Sequence, residues 1–386
     1  MKSNKIGGMA LFNGILFKNK EKEIIAQKEN VDVYISINNL EISGISKLLN
    51  IPILRGFINI IKTIVNSVPY IIDSAENIIN NNILDKKDEE TIYINKAEVT
   101  ISFIIALFII FFLGILLPNL ISLKLELEYR NIIQSILVLI IFIVYLIYLK
   151  KSRYFNELFQ YHAAEHKSIN AYEIYGLENI TLENLQKSSR FHIRCGGNFL
   201  IYFVILFIAL TMLLPSTNIL LKTLIQVLFL PILVGLSYEI LILLSNLPSV
   251  LKYIGYPAML IQYITTKEPT KDKLELALLA IKGFDFKPLS IEEYIKEYID
   301  SRLKDKYYER NDIYVLVSFY LNISKEILYL TQKERKITYQ EKIELNKILD
   351  KYYIQNIPLQ YITNKQVFYN EEYFVNENVL IPRQDT

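Results

Sequence analysis

Residues 132–149 read IIQSILVLIIFIVYLIYL, a run with no charged side chain, and that run decides the class of fold. A helix rises 1.5 Å per residue, so roughly 20 apolar residues cross the ~30 Å hydrocarbon core of a bilayer. Residues 99–120, 199–214 and 220–244 are further long, predominantly apolar runs. The apolar 52% of the chain is concentrated in these runs instead of being spread evenly, so the lipid bilayer is the first expected partner. The expected fold is mainly α: polytopic membrane helices with about four spans, a small N-terminal strand-containing unit, and a C-terminal soluble helical bundle ending in a short β segment.

Charge orients the spans. The link between the second and third carries Lys150, Lys151, Arg153, Lys167, Lys187, Arg190 and Arg194, whereas the turns after the first and third carry little charge. Basic segments near span ends stay in the cytoplasm, so both termini and this link are expected there, in a bacterial inner (plasma) membrane. Residues 1–30 lack the apolar core and small-residue cleavage site of a signal peptide, leaving the first span as its own signal. A net charge of +2 without a dense basic block argues against direct nucleic-acid binding. A single cysteine makes no intrachain disulfide.

The flanks give four expected regions: a cytoplasmic N-terminal unit (1–98), the membrane domain with its cytoplasmic loop 150–198 (99–246), an interfacial and helical tail (247–284), and a soluble module (285–386). Val31, Val33, Ile35 and Ile37 alternate with polar residues, the period of a half-buried strand. Gly7, Gly8 and Gly14 are expected to mark turns. The apolar stretch 51–72, broken by Arg55, Lys62 and Pro69, predicts an amphipathic or buried helix, and the polar run 80–90 a linker. Residues 251–266 are expected on the membrane surface and 269–283 as a short helix. Ser290 with Glu293 and Thr338 with Glu341 have capping-box spacing. Short β segments are expected near 367–369 and 373–375.

All three histidines and the only cysteine fall between Tyr161 and Phe199: His162, His166, His192 and Cys195. On a helix His162, Glu165 and His166 share one face, and His-x-x-Glu-His is the inverted zinc-hydrolase arrangement. Two imidazoles hold a divalent cation, zinc by preference, and Glu165 is the candidate general base. A third ligand is required, and Glu173, His192, Cys195 and Glu239 are the candidates. Glu239 lies in an apolar run, where a charge needs a partner; the metal, Arg194 or the lipid headgroups could supply it. The bland alternative for the whole cluster is a surface helix with ordinary hydrogen bonds, and for Cys195 a small buried residue.

The sequence resembles the YqhQ-like family of bacterial membrane proteins, which the resemblance implies are metal-dependent enzymes of unknown reaction. Gly7-Gly8 with Ala10 and Gly14, Leu54-Arg55-Gly56 and Tyr161-His162-Ala163-Ala164-Glu165-His166-Lys167 with Ala171-Tyr172-Glu173 carry it. So do His192-Ile193-Arg194-Cys195-Gly196, Ser237-Tyr238-Glu239 and Thr265-Thr266-Lys267-Glu268-Pro269. It covers residues 1 to about 284, and departs from the family at Met9, Asn13, Ala163 and Ile193.

The tail is similar to a second family. Pro358-Leu359-Gln360-Tyr361-Ile362, Phe368-Tyr369 and the segment from Val375 to Arg383 resemble the start of release factor glutamine methyltransferases of the PrmC/HemK type. That resemblance implies a helical domain that binds a peptide chain release factor. The methyltransferase domain would begin where this sequence stops, and neither Gly-x-Gly nor Asn-Pro-Pro occurs. No S-adenosylmethionine site and no methyl transfer are therefore expected of this chain alone. Two readings compete with a metal-dependent hydrolase: a non-enzymatic membrane anchor or scaffold with a C-terminal protein-binding module, and the product of a truncated gene fusion.

Overall fold

In a computed structural model the chain is described over residues 5–29, 32–40, 51–84, 105, 108–215, 217–247, 255–304, 306–369 and 371–382, with the backbone alone described for 77–84 and Tyr154. It divides into two compact units, Met1–Phe284 and Asp285–Thr386.

The first unit opens with an antiparallel meander of β1 (Gly7–Leu11), β2 (Gly14–Lys18), β3 (Lys22–Glu29) and β4 (Asp32–Asn39), in the spatial order β1-β2-β3-β4. Alternation sorts its faces: Ile15, Phe17, Ile24 and Ala26 are fully buried on one side, while Leu11, Leu16 and Ile25 pack with Tyr70 on the other. Gly7 and Gly8 lie inside β1 and are not turn residues; the turn is Phe12-Asn13. Helix α1 (Leu54–Leu84) runs through Pro69 and continues past residue 80, so the first part of the expected linker is helical. Residues 85–90 and Val31 lie outside the described residues.

Among the described residues three helices are long and apolar enough to cross a membrane: α3 (Leu127–Lys151), α6 (Gly196–Leu213) and α7 (Ile219–Ser245). At 1.5 Å per residue they measure about 37, 27 and 40 Å. Of the first expected span, the described part is α2 (Phe108–Ser122), which carries a π-helical turn at Phe112–Leu116. Lipid offers these helices no hydrophobic reason to associate, so packing and polar side chains must do it. Asn119 Nδ2 donates to Gln226 Oε1 at 2.8 Å, Gln226 Nε2 to Thr211 Oγ1 at 2.9 Å, and Lys222 Nζ to Asn131 Oδ1 at 2.6 Å.

Between α3 and α6 the chain leaves the bundle. Ser152 is extended, and α4 (Arg153–Tyr175) sets off after it. With neither Gly nor Pro inside, α4 is uninterrupted until Gly176, whose φ of +73° is a backbone conformation that glycine adopts readily and that no helix continues through. Helices α5 (Leu182–Lys187), α8 (Tyr256–Met259), α9 (Gln262–Thr265) and α10 (Lys271–Lys282) complete the unit. The stretch expected on the membrane surface forms two short helices, α8 packed on α6 and α9 on α3, with the Thr265 carbonyl accepting from His162 of α4, and residues 251–254 lie outside the described residues.

The second unit is helical: α11 (Ile291–Tyr298), α12 (Arg310–Leu321), α13 (Lys325–Thr331), α14 (Tyr339–Tyr353) and α15 (Leu359–Thr363), then a hairpin of β5 (Lys365–Phe368) and β6 (Glu371–Phe374). Both capping boxes form, at Ser290/Glu293 and Thr338/Glu341. The apolar stripes they start meet in a core of Tyr294, Ile295, Leu316 and Leu345.

Candidate metal centre

The i, i+3, i+4 spacing on α4 turns His162, Glu165 and His166 toward the N-terminus of α6, where Cys195 is the cap residue. His166, His192, Cys195 and Glu165 are buried and His162 is nearly so. His162 Nδ1 lies 2.9 Å from the Thr265 carbonyl oxygen, and His166 Nδ1 lies 2.6 Å from that of Arg190. A carbonyl oxygen only accepts, so each Nδ1 carries the ring proton and donates it. With Nδ1 protonated, each neutral ring has its lone pair on Nε2, and that of His162 accepts from the Cys195 thiol at 3.2 Å; this is the arrangement in which a backbone carbonyl fixes the tautomer of a metal-binding imidazole.

The possible ligand atoms gather in one place. His162 Nε2 is 3.2 Å from Cys195 Sγ, the two imidazole rings are 4.4 Å apart, and the donor atoms of His162, His166 and Cys195 lie within 4.8 Å of one another. A tetrahedral ion at zinc-like bond lengths needs donor separations of about 3.3–3.6 Å, so small side-chain adjustments close the set. The chemistry fits as well: two neutral imidazoles and one sulfur are donors of the zinc type. The Gly197 N–H also donates to Cys195 Sγ at 3.2 Å, which holds the sulfur in place.

Glu165 stands beside this group without joining it. Its Oε2 is 3.8 Å from His166 Nε2, beyond a direct hydrogen bond. It lies under β1, where a Cβ on Gly8 would come within 2.6 Å of its carboxylate; Gly8 is glycine because the carboxyl occupies that space. A cavity of about 380 Å³ opens here, bounded by the β1 backbone on one side and by His162, Glu165, His166 and Cys195 on the other.

Of the four candidate third ligands, only Cys195 is grouped with the two imidazoles among the described residues. His192 lines the cavity, its ring 5.7 Å from that of His166, but its Nε2 faces Glu173 Oε2 at 3.9 Å. Glu173 is taken by Arg194 and His192. Glu239 is elsewhere, held in a two-pronged pair by Arg55, with Nε–Oε1 at 2.7 Å and Nη2–Oε2 at 2.5 Å. Arg194 is thus the partner of Glu173 and not of Glu239, because its loop ends at α6 while Glu239 is carried on α7 against α1.

The His192 imidazole, with help from the Arg194 guanidinium and against partial burial, holds the Glu173 carboxyl down at about 2. A carboxyl depressed from 4.5 stabilises the fold fully above pH 4.5 and loses that contribution as pH falls through 2. The melting-temperature advantage of wild type over Glu173→Gln is expected to be constant above about pH 4.5 and to vanish near pH 2; an advantage unchanged at pH 2 contradicts the pairing.

Sequence reasoning missed the residues that position the site. Thr265 and Arg190 act through backbone carbonyls, which carry no sequence signal. Gln262 does carry one, being a fully buried amide in an apolar stretch. It accepts from the His192 N–H at 2.8 Å and donates to the His192 carbonyl and to Asn198 Oδ1, clamping the His192–Cys195 loop.

The sequence profile of the family described as Protein of unknown function (DUF1385) matches residues 51–285. The chain is 29% identical over 293 residues to the uncharacterized protein YqhQ of Bacillus subtilis (strain 168), covering 70% of this chain and 89% of that protein. The chain is also 40% identical over 83 residues to a release factor glutamine methyltransferase of Leptospira interrogans, and 28% identical over 90 residues to one of Bacillus cereus. Those matches span 20% and 23% of this chain, and only 26% and 31% of the two enzymes. No solved structure matches the chain.

Proposed function

The chain belongs to the DUF1385 family, and from that premise we propose that it is a metal-dependent hydrolase of the bacterial inner membrane, with both termini and the His162–His166–Cys195 centre on the cytoplasmic side. One observation carries the reading: both imidazoles spend Nδ1 on a backbone carbonyl, His162 Nε2 lies 3.2 Å from Cys195 Sγ, and the donor atoms of His162, His166 and Cys195 gather within 4.8 Å of one another. A zinc-type cation bound there would supply Lewis acidity for attack by water. The chain's own residues do the rest. Thr265 and Arg190 hold the imidazoles in the ligating tautomer, Gly197 steadies the sulfur, and Glu165, within the same cavity, takes the proton from the attacking water.

The test is elemental analysis of detergent-purified protein together with Glu165→Gln. One equivalent of zinc or a similar ion is expected in both, because the Glu165 carboxyl lies outside the ligand group. Wild type without a transition metal overturns the proposal. For the second unit, the similarity to two release factor glutamine methyltransferases favours a protein-binding module, with a peptide chain release factor as the partner to try. Capture of the release factor by the full chain but not by one lacking residues 285–386 would support it. In the competing reading the membrane part is only an anchor or scaffold, which requires Glu165→Gln to be without effect on any activity.

A further inference from the structure

We propose that β1 is the docking edge for an extended polypeptide, which adds beside it as a fifth strand and is thereby laid across the metal centre. This rests on the hydrolase reading for its chemistry, but not for its binding. In the β1–β2 hairpin a two-residue loop makes Leu11 and Gly14 a hydrogen-bonded pair, and by antiparallel alternation Met9/Leu16 and Gly7/Lys18 are the next such pairs. The N–H and C=O groups of Gly8 and Ala10 therefore point away from β2. Among the described residues the sheet runs β1-β2-β3-β4, so none of its strands stands on that side and no other backbone or side-chain group bonds Gly8 or Ala10. A strand edge left open in this way is a template for strand addition.

Its position makes it a site instead of a loose end. Gly7, Gly8, Met9 and Ala10 form one wall of the cavity whose opposite wall carries His162, Glu165 and His166. Gly7 and Gly8 are exposed and put no side chain between the edge and an incoming strand. An alternating register would fix such a chain through its backbone, so the substrate class is unfolded or extended polypeptide with little demand on side chains. In hydrolysis a C–O bond forms at the carbonyl carbon of one peptide link and its C–N bond breaks. Glu165 would take a proton from the attacking water and pass it to the departing amine, with no oxidant or reductant needed.

Hydrogen exchange on the full-length protein in detergent, with and without reduced fluorescein-labelled casein as the disordered probe, tests the docking directly. Casein is expected to slow exchange in the segment containing residues 7–11; unchanged exchange there overturns the proposal. Ala10→Pro removes one outward N–H while leaving the β1–β2 ladder intact, and is expected to weaken casein binding fivefold or more by fluorescence anisotropy. Ala10→Ser keeps the N–H and binds as wild type. Equal binding by Ala10→Pro, with its metal content and melting temperature intact, also overturns it. A wild-type protein that lacks metal yet protects residues 7–11 would sink the hydrolase reading and leave the docking edge standing.

Discussion

His162→Ala, His166→Ala and Cys195→Ala are each expected to take the purified protein from about one bound transition metal to almost none. Removing one of three protein ligands leaves a two-donor site, which holds a divalent cation poorly. His192→Ala and Glu239→Gln are the controls. Neither residue contributes to the three-donor group, so their metal content is expected to stay within a factor of two of wild type. Replacing the native ion with cobalt sharpens the assignment, since a sulfur ligand gives a near-ultraviolet charge-transfer band that Cys195→Ser should abolish. Full metal content in the Cys195 variants, or loss of metal in His192→Ala, would move the third ligand to another residue.

Gly235→Ala is expected to destabilise the membrane unit by about 3 kcal/mol, at the upper end of what overpacking costs. A Cβ at Gly235 would lie 2.2 Å from the Ile53 carbonyl oxygen, and one at Gly56 would lie 2.6 Å from the Gly235 carbonyl oxygen. Both contacts are to backbone, which cannot turn aside as a side chain can. Two helices approach this closely only through small residues. Gly235 is ten residues from Ser245, about 15 Å along α7, so the start of α1 is pinned about halfway along a spanning helix. Forcing α1 off would also part Arg55 from Glu239. Gly114→Ala is the matched control. Nothing lies within 4 Å of its Cβ, and alanine is expected to be neutral or to gain up to about 1 kcal/mol in a helix. The chain has no tryptophan, so far-ultraviolet circular dichroism is the suitable readout, and equal melting temperatures for the two variants would refute the close approach.

Much of the helical architecture was legible because it depends on local periodicity. Residues 132–149 predict a span and form the body of α3, and Ser290 and Thr338 predict capping boxes and make them. The N-terminal sheet was only partly legible. The alternation 31–37 lies mostly within β4, but Gly7-Gly8 reads as a turn, since glycine signals backbone freedom and does not say which neighbour requires it. That neighbour is Glu165, far along the chain.

The metal centre divides along the same line. By itself the sequence determined that His162, Glu165 and His166 share a helical face, because i, i+3, i+4 spacing is a property of the helix alone, and it limited the third ligand to four residues. Only the tertiary structure sorts these candidates, and among the described residues it groups Cys195 alone with the two imidazoles. Cys195 reaches the imidazoles because it caps α6 against α4, Glu173 is claimed by Arg194 and His192, and Glu239 is drawn to Arg55 by the glycine contact between α1 and α7. A ligand set is a matter of which lone pairs converge within a few ångströms, and residues distant in sequence acquire that convergence only when their helices pack.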